Sequence, residues 1–194
     1  LSEHIRGINP WWRGEPGKPP LQFRRWPFKR LKSLLPGGLT PAVVLRGPRR
    51  VGKTELLRQV IGDLLKEGTP PKNLLYIPFD ELPPLKGIQA PVLAVARWYE
   101  RAVLESTFNA KAKAGEKVYL FLDEVQNLDA WAPQIKALVD NYEVRVLVTG
   151  SSSFRIEAGR DSLAGRITTM EMGPLLLREI AELRFGEAGS PLWG

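Results

Sequence analysis

Apolar residues along this chain follow two rhythms, short unbroken runs and runs spaced for one face of a helix, and the two alternate. Ala42-Val43-Val44-Leu45 and residues 73–79, 118–124 and 144–151 are of the first kind and predict strands, the run at 118–122 being fit for one covered on both faces; residues 167–172, more mixed, read as a fifth strand. Leu56, Leu57, Val60, Ile61, Leu64 and Leu65 recur at helical spacing and predict a helix over 54–65, closed by Gly68 and Pro70-Pro71. Further helices are expected over 26–35, ending at Pro36-Gly37-Gly38, and over 92 to about 110, 132–140 and 175–184. Strand alternating with helix is the signature of an α/β domain built on a parallel sheet.

The first twenty residues break this rhythm. Ile8-Asn9-Pro10-Trp11-Trp12-Arg13 is followed by Gly14, Pro16, Gly17, Pro19 and Pro20, a composition that predicts an arm without regular structure. Two adjacent tryptophans in an arm need cover, either from the domain's own apolar surface or from a nucleotide base. Residues 82–91 read as a proline-rich loop and 111–117 as a charged connector.

Composition narrows the chemistry. With 194 residues and 43% hydrophobic content the chain supports one core, which suits a single α/β domain. No cysteine and a lone histidine, His4, exclude a disulfide framework, a zinc site and Cys- or His-based catalysis. Carboxylates, lysine and a bound ion are left. No apolar run is long enough to cross a bilayer and no secretory pattern opens the chain, so a cytoplasmic location is expected. Seventeen prolines beside two methionines would suit a thermophile. The net charge of +7 is uneven: residues 1–60 hold 13 Lys/Arg against 3 Asp/Glu, or +10, leaving 15 against 18, or −3. Arg24, Arg25, Lys29, Arg30 and Lys32 surround Trp26 and Phe28, a mixture that can track nucleic acid or form a helix packed on the domain's flank.

The sharpest chemical signal is Gly47-Pro48-Arg49-Arg50-Val51-Gly52-Lys53-Thr54, which fits G-x-x-x-x-G-K-[ST] between a predicted strand and a predicted helix. Such a turn wraps a polyphosphate in backbone N–H groups, and glycines let the chain come close enough. Lys53 would reach the β- and γ-phosphates, and the Thr54 hydroxyl a bridging magnesium ion, at a helix start that itself favours an anion. Glu55 completes the stretch expected around the nucleotide. The second signal is the apolar run 118–122 ending abruptly in Asp123-Glu124. Beside a phosphate loop, such an Asp orients magnesium and such a Glu polarises an attacking water; alone, the pair could simply precede the next helix. A full strand and its helix separate the two signals in sequence, an order that implies an extra central strand between the two landmark strands.

Thr149 and Ser151, at the end of the fourth run, could reach a γ-phosphate or its water, or merely form a polar turn. Arg155, Arg160 and Arg166 beyond it could complete a neighbouring subunit's site or form structural ion pairs.

These stretches together resemble the AAA+ ATPases, specifically an archaeal and bacterial subgroup related to origin-recognition and STAND-type signal-transduction ATPases. The likeness rests on 47–54, Leu122-Asp123-Glu124-Val125-Gln126-Asn127, Leu147-Val148-Thr149-Gly150-Ser151-Ser152-Ser153, and Ser162-Leu163-Ala164-Gly165-Arg166 followed by Gly173-Pro174-Leu175. It covers about residues 8–185. It implies a three-layer P-loop NTPase sandwich whose five-stranded parallel sheet runs 5-1-4-3-2, with ATP and Mg2+ as cofactors. It also implies that Lys53 and Thr54 bind phosphate and ion, that Asp123 supports the ion, and that Glu124 is the hydrolytic base. Thr149 would be the polar sensor and Arg166 an interaction-sensitive arginine, with a second copy or protein partner supplying an arginine in return. The expected division is a basic arm and short helix over 1–40, an ATPase core over 41–185 and a tail over 186–194. The family's helical lid is expected to be absent, since one closing helix precedes Gly194. A nucleic-acid-binding module with a structural nucleotide is the alternative expectation.

Overall fold

A computed structural model describes residues 1–38, 40–82, 85, 87–150 and 163–186. Its centre is a parallel sheet of β1 (Ala42–Arg46), β2 (Leu74–Pro78), β3 (Tyr119–Asp123), β4 (Arg145–Gly150) and β5 (Ile167–Glu171). The order is 2-3-4-1-5, the expected one read from the other edge. Val44 pairs with Val148 on one side and Thr169 on the other, and Ile77 with Leu122, so all strands run in step toward one carboxyl-terminal edge. β4 is the central strand between the two landmark strands.

Alternation within each strand sorts the core into two layers. Val43, Leu45, Tyr76, Phe121 and Leu147 pack under α2 (Pro27–Gly37) and α3 (Lys53–Lys66). Ala42, Val44, Ile77, Leu120 and Val148 pack under α4 (Pro91–Tyr99) and α6 (Trp131–Asn141), while α5 (Phe108–Lys113) adds Phe108 and α7 (Leu177–Phe185) closes the described chain. Both faces being covered, the central strands are apolar along nearly their whole length, while the edge strand β5, Ile167–Glu171, is mixed.

Two stretches depart from expectation. The arm holds α1 (Ser2–Ile8) and a 3-10 turn over Pro10–Arg13. Glu3 and Arg6 lie at the ends of α1 that suit their charges, and Ile5 anchors it in the core at 2% exposure. The arm then lies along the outer edge of β2. The Asn9 amide donates to Tyr76 O at 2.9 Å and accepts from Tyr76 N at 2.7 Å, while Trp11 and Trp12 both donate from Nε1 to Leu74 O. The domain's own surface covers the tryptophans, and Trp12 stacks on Tyr99 at 5.6 Å.

The helix expected over 92–110 is interrupted. α4 loosens into a π-turn over Glu100–Leu104 and stops at Glu105, which takes a left-handed φ of 51°. Side chains explain the break: Glu100 accepts from Phe108 N at 2.8 Å and Thr107 caps α5 through Ala110 N at 3.1 Å. No helix among the described residues is long and apolar enough to cross a membrane.

Candidate functional site

β1, β3 and β4 end side by side, where parallel α/β sheets gather ligands. From β1 the chain enters the 47–52 turn at Gly47, packed so tightly that a Cβ there would lie 2.0 Å from Met172 O. Only glycine fits. Arg50 adopts a left-handed φ of 64°, and Gly52, at φ 96°, turns the chain into α3 with the amides of Lys53 and Thr54 at the helix start. Pro48, Arg49 and Arg50 are exposed at the tip of the turn, and Val51 and Gly52 are half-buried. Glu55 turns outward and accepts from Leu21 N at 2.5 Å.

The loop curls around Lys53. This ammonium is 4% exposed and donates to Gly47 O at 3.0 Å and Pro48 O at 2.9 Å, with Glu124 Oε1 at 4.0 Å. Burial lowers its pKa, and the charges of Glu124 and Asp123 pull the other way. A polyphosphate entering the turn would meet a lysine already aimed at its centre.

Asp123, the last residue of β3, is 2% exposed and ringed by hydroxyls. Thr54 Oγ1 donates to Oδ2 at 2.7 Å, Tyr76 OH to the same oxygen at 3.1 Å, and Thr149 Oγ1 to Oδ1. Burial raises the Asp123 pKa, an effect the three hydroxyls reduce. Glu124 leaves the strand in a left-handed φ of 55°; its N–H donates to Thr149 Oγ1 at 3.1 Å and its Oε2 accepts from Gln126. Thr149, fully buried, therefore ties the two acids together.

A carboxylate and a hydroxyl in contact are the hard oxygen donors that suit Mg2+, which is usually held by one or two carboxylates together with substrate phosphates and water. Thr54 and Asp123 would hold the ion, and the donor chemistry fits it.

Lys53, Thr54, Asp123, Glu124 and Thr149 thus converge. Arg166 does not join them. Its carbonyl accepts from Ala42 N at the start of β1, and its Nε donates to Asp140. Five residues of β1 separate it from the phosphate loop, roughly 16 Å at strand rise. Any role for it is therefore directed away from its own chain's loop. Ser151, Ser152, Ser153, Arg155, Arg160 and Ser162 lie outside the described residues.

The basic cluster is largely spent inside the molecule. Arg24 and Lys32 both pair with Asp63, at 2.5 and 2.9 Å, and Arg25 is buried against Glu179 at 2.8 Å. Lys29 and Arg30 are exposed.

Four site residues escaped the sequence reading. Asn9, Tyr76 and Gln126 are described above; the fourth is Arg25, 8% exposed. Its guanidinium donates to Val51 O in the phosphate loop at 2.8 Å, Gly173 O at 3.0 Å, Pro174 O at 2.8 Å, and both oxygens of Glu179. It braces the loop against the turn into α7. Burial pushes the Glu179 carboxyl up, but Arg25 and the amides of Leu176 and Trp26 outweigh this and hold it below its usual range. Arg25→Met would strand a buried carboxylate, and a loss of about 3–5 kcal/mol is expected in the denaturant-unfolding free energy. A lone arginine among basic neighbours carries no local signal for such a brace, because its partners lie far away in sequence.

Comparison with known proteins agrees with this fold. The AAA_14 family profile, described as an AAA domain, matches residues 39–181. An uncharacterized protein of Haemophilus influenzae is 25% identical over 150 residues, 77% of this chain and 35% of its own length. The uncharacterized protein MJ1637 of Methanocaldococcus jannaschii is 29% identical over 137 residues, 71% of this chain and 27% of its own. The chain thus spans about a third or less of these relatives. Among solved structures, the Walker-type ATPase PABY2304 of Pyrococcus abyssi superposes with a TM-score of 0.57 at 19% identity, over 82% of this chain and 56% of that one. Cdc6p from Pyrobaculum aerophilum superposes with a TM-score of 0.53 at 13% identity, over 92% of this chain and 52% of that one. At these identities the likeness is one of fold.

Proposed function

The chain belongs to the AAA domain family, and on that premise we propose that it binds ATP with Mg2+ in the 47–54 turn, hydrolyses it, and couples hydrolysis to a conformational switch. The observation that carries the reading is the convergence of Lys53, Thr54, Asp123 and Glu124 at one edge of the sheet. ATP rather than GTP is inherited from the family, and the sequence contains no N-K-x-D stretch of the kind that reads guanine.

In this reading Lys53 leaves the Gly47 and Pro48 carbonyls for the β- and γ-phosphates, joined by the amides at the start of α3. Thr54 and Asp123 would hold a magnesium ion, which when bound would supply positive charge to the phosphate oxygens. Glu124 accepts a proton from the attacking water as the oxygen bonds to the γ-phosphorus and the bond to the β–γ bridging oxygen breaks. Thr149 fixes the spacing of the two acids, so the ion and the water are set relative to one another. Lys53, relieved from its contact with Glu124, would report that the loop is filled.

Phosphate release by the full chain tests the proposal. Turnover is expected with magnesium and ATP and is expected to vanish when the metal is chelated. A folded sample that releases no phosphate and gives no saturable calorimetric signal with Mg·ATP would end it. For the nucleic-acid alternative, Arg24, Arg25 and Lys32 are already engaged in ion pairs, while Lys29, Arg30 and Trp26 of the same face are exposed.

A further inference from the structure

We propose that Tyr76 is a positioning residue for the metal-holding carboxylate, and that the N-terminal segment, through Asn9, keeps Tyr76 in place. The inference rests on the nucleotide-binding reading above and adds to it a role for a segment that precedes the matched family domain.

Three hydroxyls share the two oxygens of Asp123: Thr149 on Oδ1, and Thr54 and Tyr76 on Oδ2. They are not equivalent. Thr54 is itself expected to face the ion, so its hydroxyl would turn from carboxylate to metal when the site fills. Thr149 and Tyr76 then remain, one donor to each oxygen. A carboxylate held by donors on both oxygens is restrained about Cβ–Cγ more tightly than one held by a single donor. Tyr76 is thus the group that turns a held carboxylate into an aimed one.

Its phenol can do this because the backbone beneath it is pinned. Tyr76 lies on β2, paired with Phe121 two residues before Asp123, and its side chain runs on the α3 side of the sheet. β2 pairs with β3 alone, and on its outer side the Tyr76 N–H and C=O are both taken by the fully buried Asn9 amide, at 2.7 and 2.9 Å. Asn9 in turn donates to Ile5 O at 2.8 Å, which ties it to α1. Hydrogen bonds thus join α1 and Asn9 to the Tyr76 backbone, and the Tyr76 side chain carries the link on to Asp123 through its hydroxyl. Conformational change in the segment before the AAA domain would reach the metal carboxylate by this route.

The test is calorimetric titration of the full chain with ATP, without added metal and over a series of magnesium concentrations, alongside thermal melting. Tyr76→Phe keeps the buried ring and removes one hydroxyl. It is expected to raise the magnesium concentration giving half-maximal enhancement of ATP affinity about tenfold, the usual effect of losing a hydrogen bond to a metal ligand. Metal-free ATP affinity should stay within about twofold of wild type and the melting temperature should hold; those two readouts would move if Tyr76 were merely structural. Asn9→Ala is expected to shift the magnesium requirement in the same direction by a smaller factor. An unchanged magnesium requirement in folded Tyr76→Phe overturns the role of Tyr76, and the same result in Asn9→Ala overturns the latch. Wild-type protein that binds no nucleotide overturns the underlying reading as well, which distinguishes the two failures.

Discussion

Replacing Lys53 with alanine is expected to lower ATP affinity by about a hundredfold or more and to remove measurable turnover. The ammonium is buried inside the turn beside the loop carbonyls of Gly47 and Pro48, which it would exchange for phosphate oxygens. Charge-assisted hydrogen bonds are worth about 1.5–3 kcal/mol each, and even one at the upper end accounts for two decades of affinity. Calorimetry with Mg·ATP measures the effect, and a melting curve on the same sample separates it from unfolding. Affinity within about threefold of wild type would show that the turn is not the phosphate site.

Glu124→Gln is expected to behave oppositely: ATP affinity is retained while turnover falls by about 10²–10⁴, the range lost with a general base. The amide keeps the size of the side chain and can still accept from Gln126, so the left-handed turn at 124 should persist. What it loses is basicity. The measurement is single-turnover phosphate release beside a binding titration, and normal turnover would remove Glu124 from the reaction. The pair of variants is diagnostic because one acts on binding and the other on chemistry.

The parts of the site legible in the sequence are those whose neighbours are close along the chain. The 47–54 turn carries its chemistry in eight consecutive residues, and Asp123-Glu124 stand out because an apolar run stops there. The two signals and the run between them implied an extra central strand, while the full sheet order came with the family resemblance that these stretches carry. Asn9 was not legible. An asparagine before a proline reads as a turn, and its use depends on β2 being an edge, which no local pattern states. Arg25 read as surface charge because its partner, Glu179, lies 154 positions away. The interruption after Tyr99 was missed for a related reason, since apolar spacing continues through it while Glu100 and Thr107 decide the break with their side chains. Asn9 and Arg25 are polar side chains whose roles are fixed by partners distant in sequence, whereas Glu100 and Thr107 act on neighbours within eight residues.

The way the first thirteen residues lie along β2 bears on how the fold can be divided. The family match begins at residue 39, yet a chain cut there would lose the groups that occupy the backbone of Leu74 and Tyr76. Unshielded strand edges template pairing between molecules. The leading segment therefore covers that edge, and a chain beginning at residue 39 would present the outer backbone groups of Leu74 and Tyr76 to other molecules.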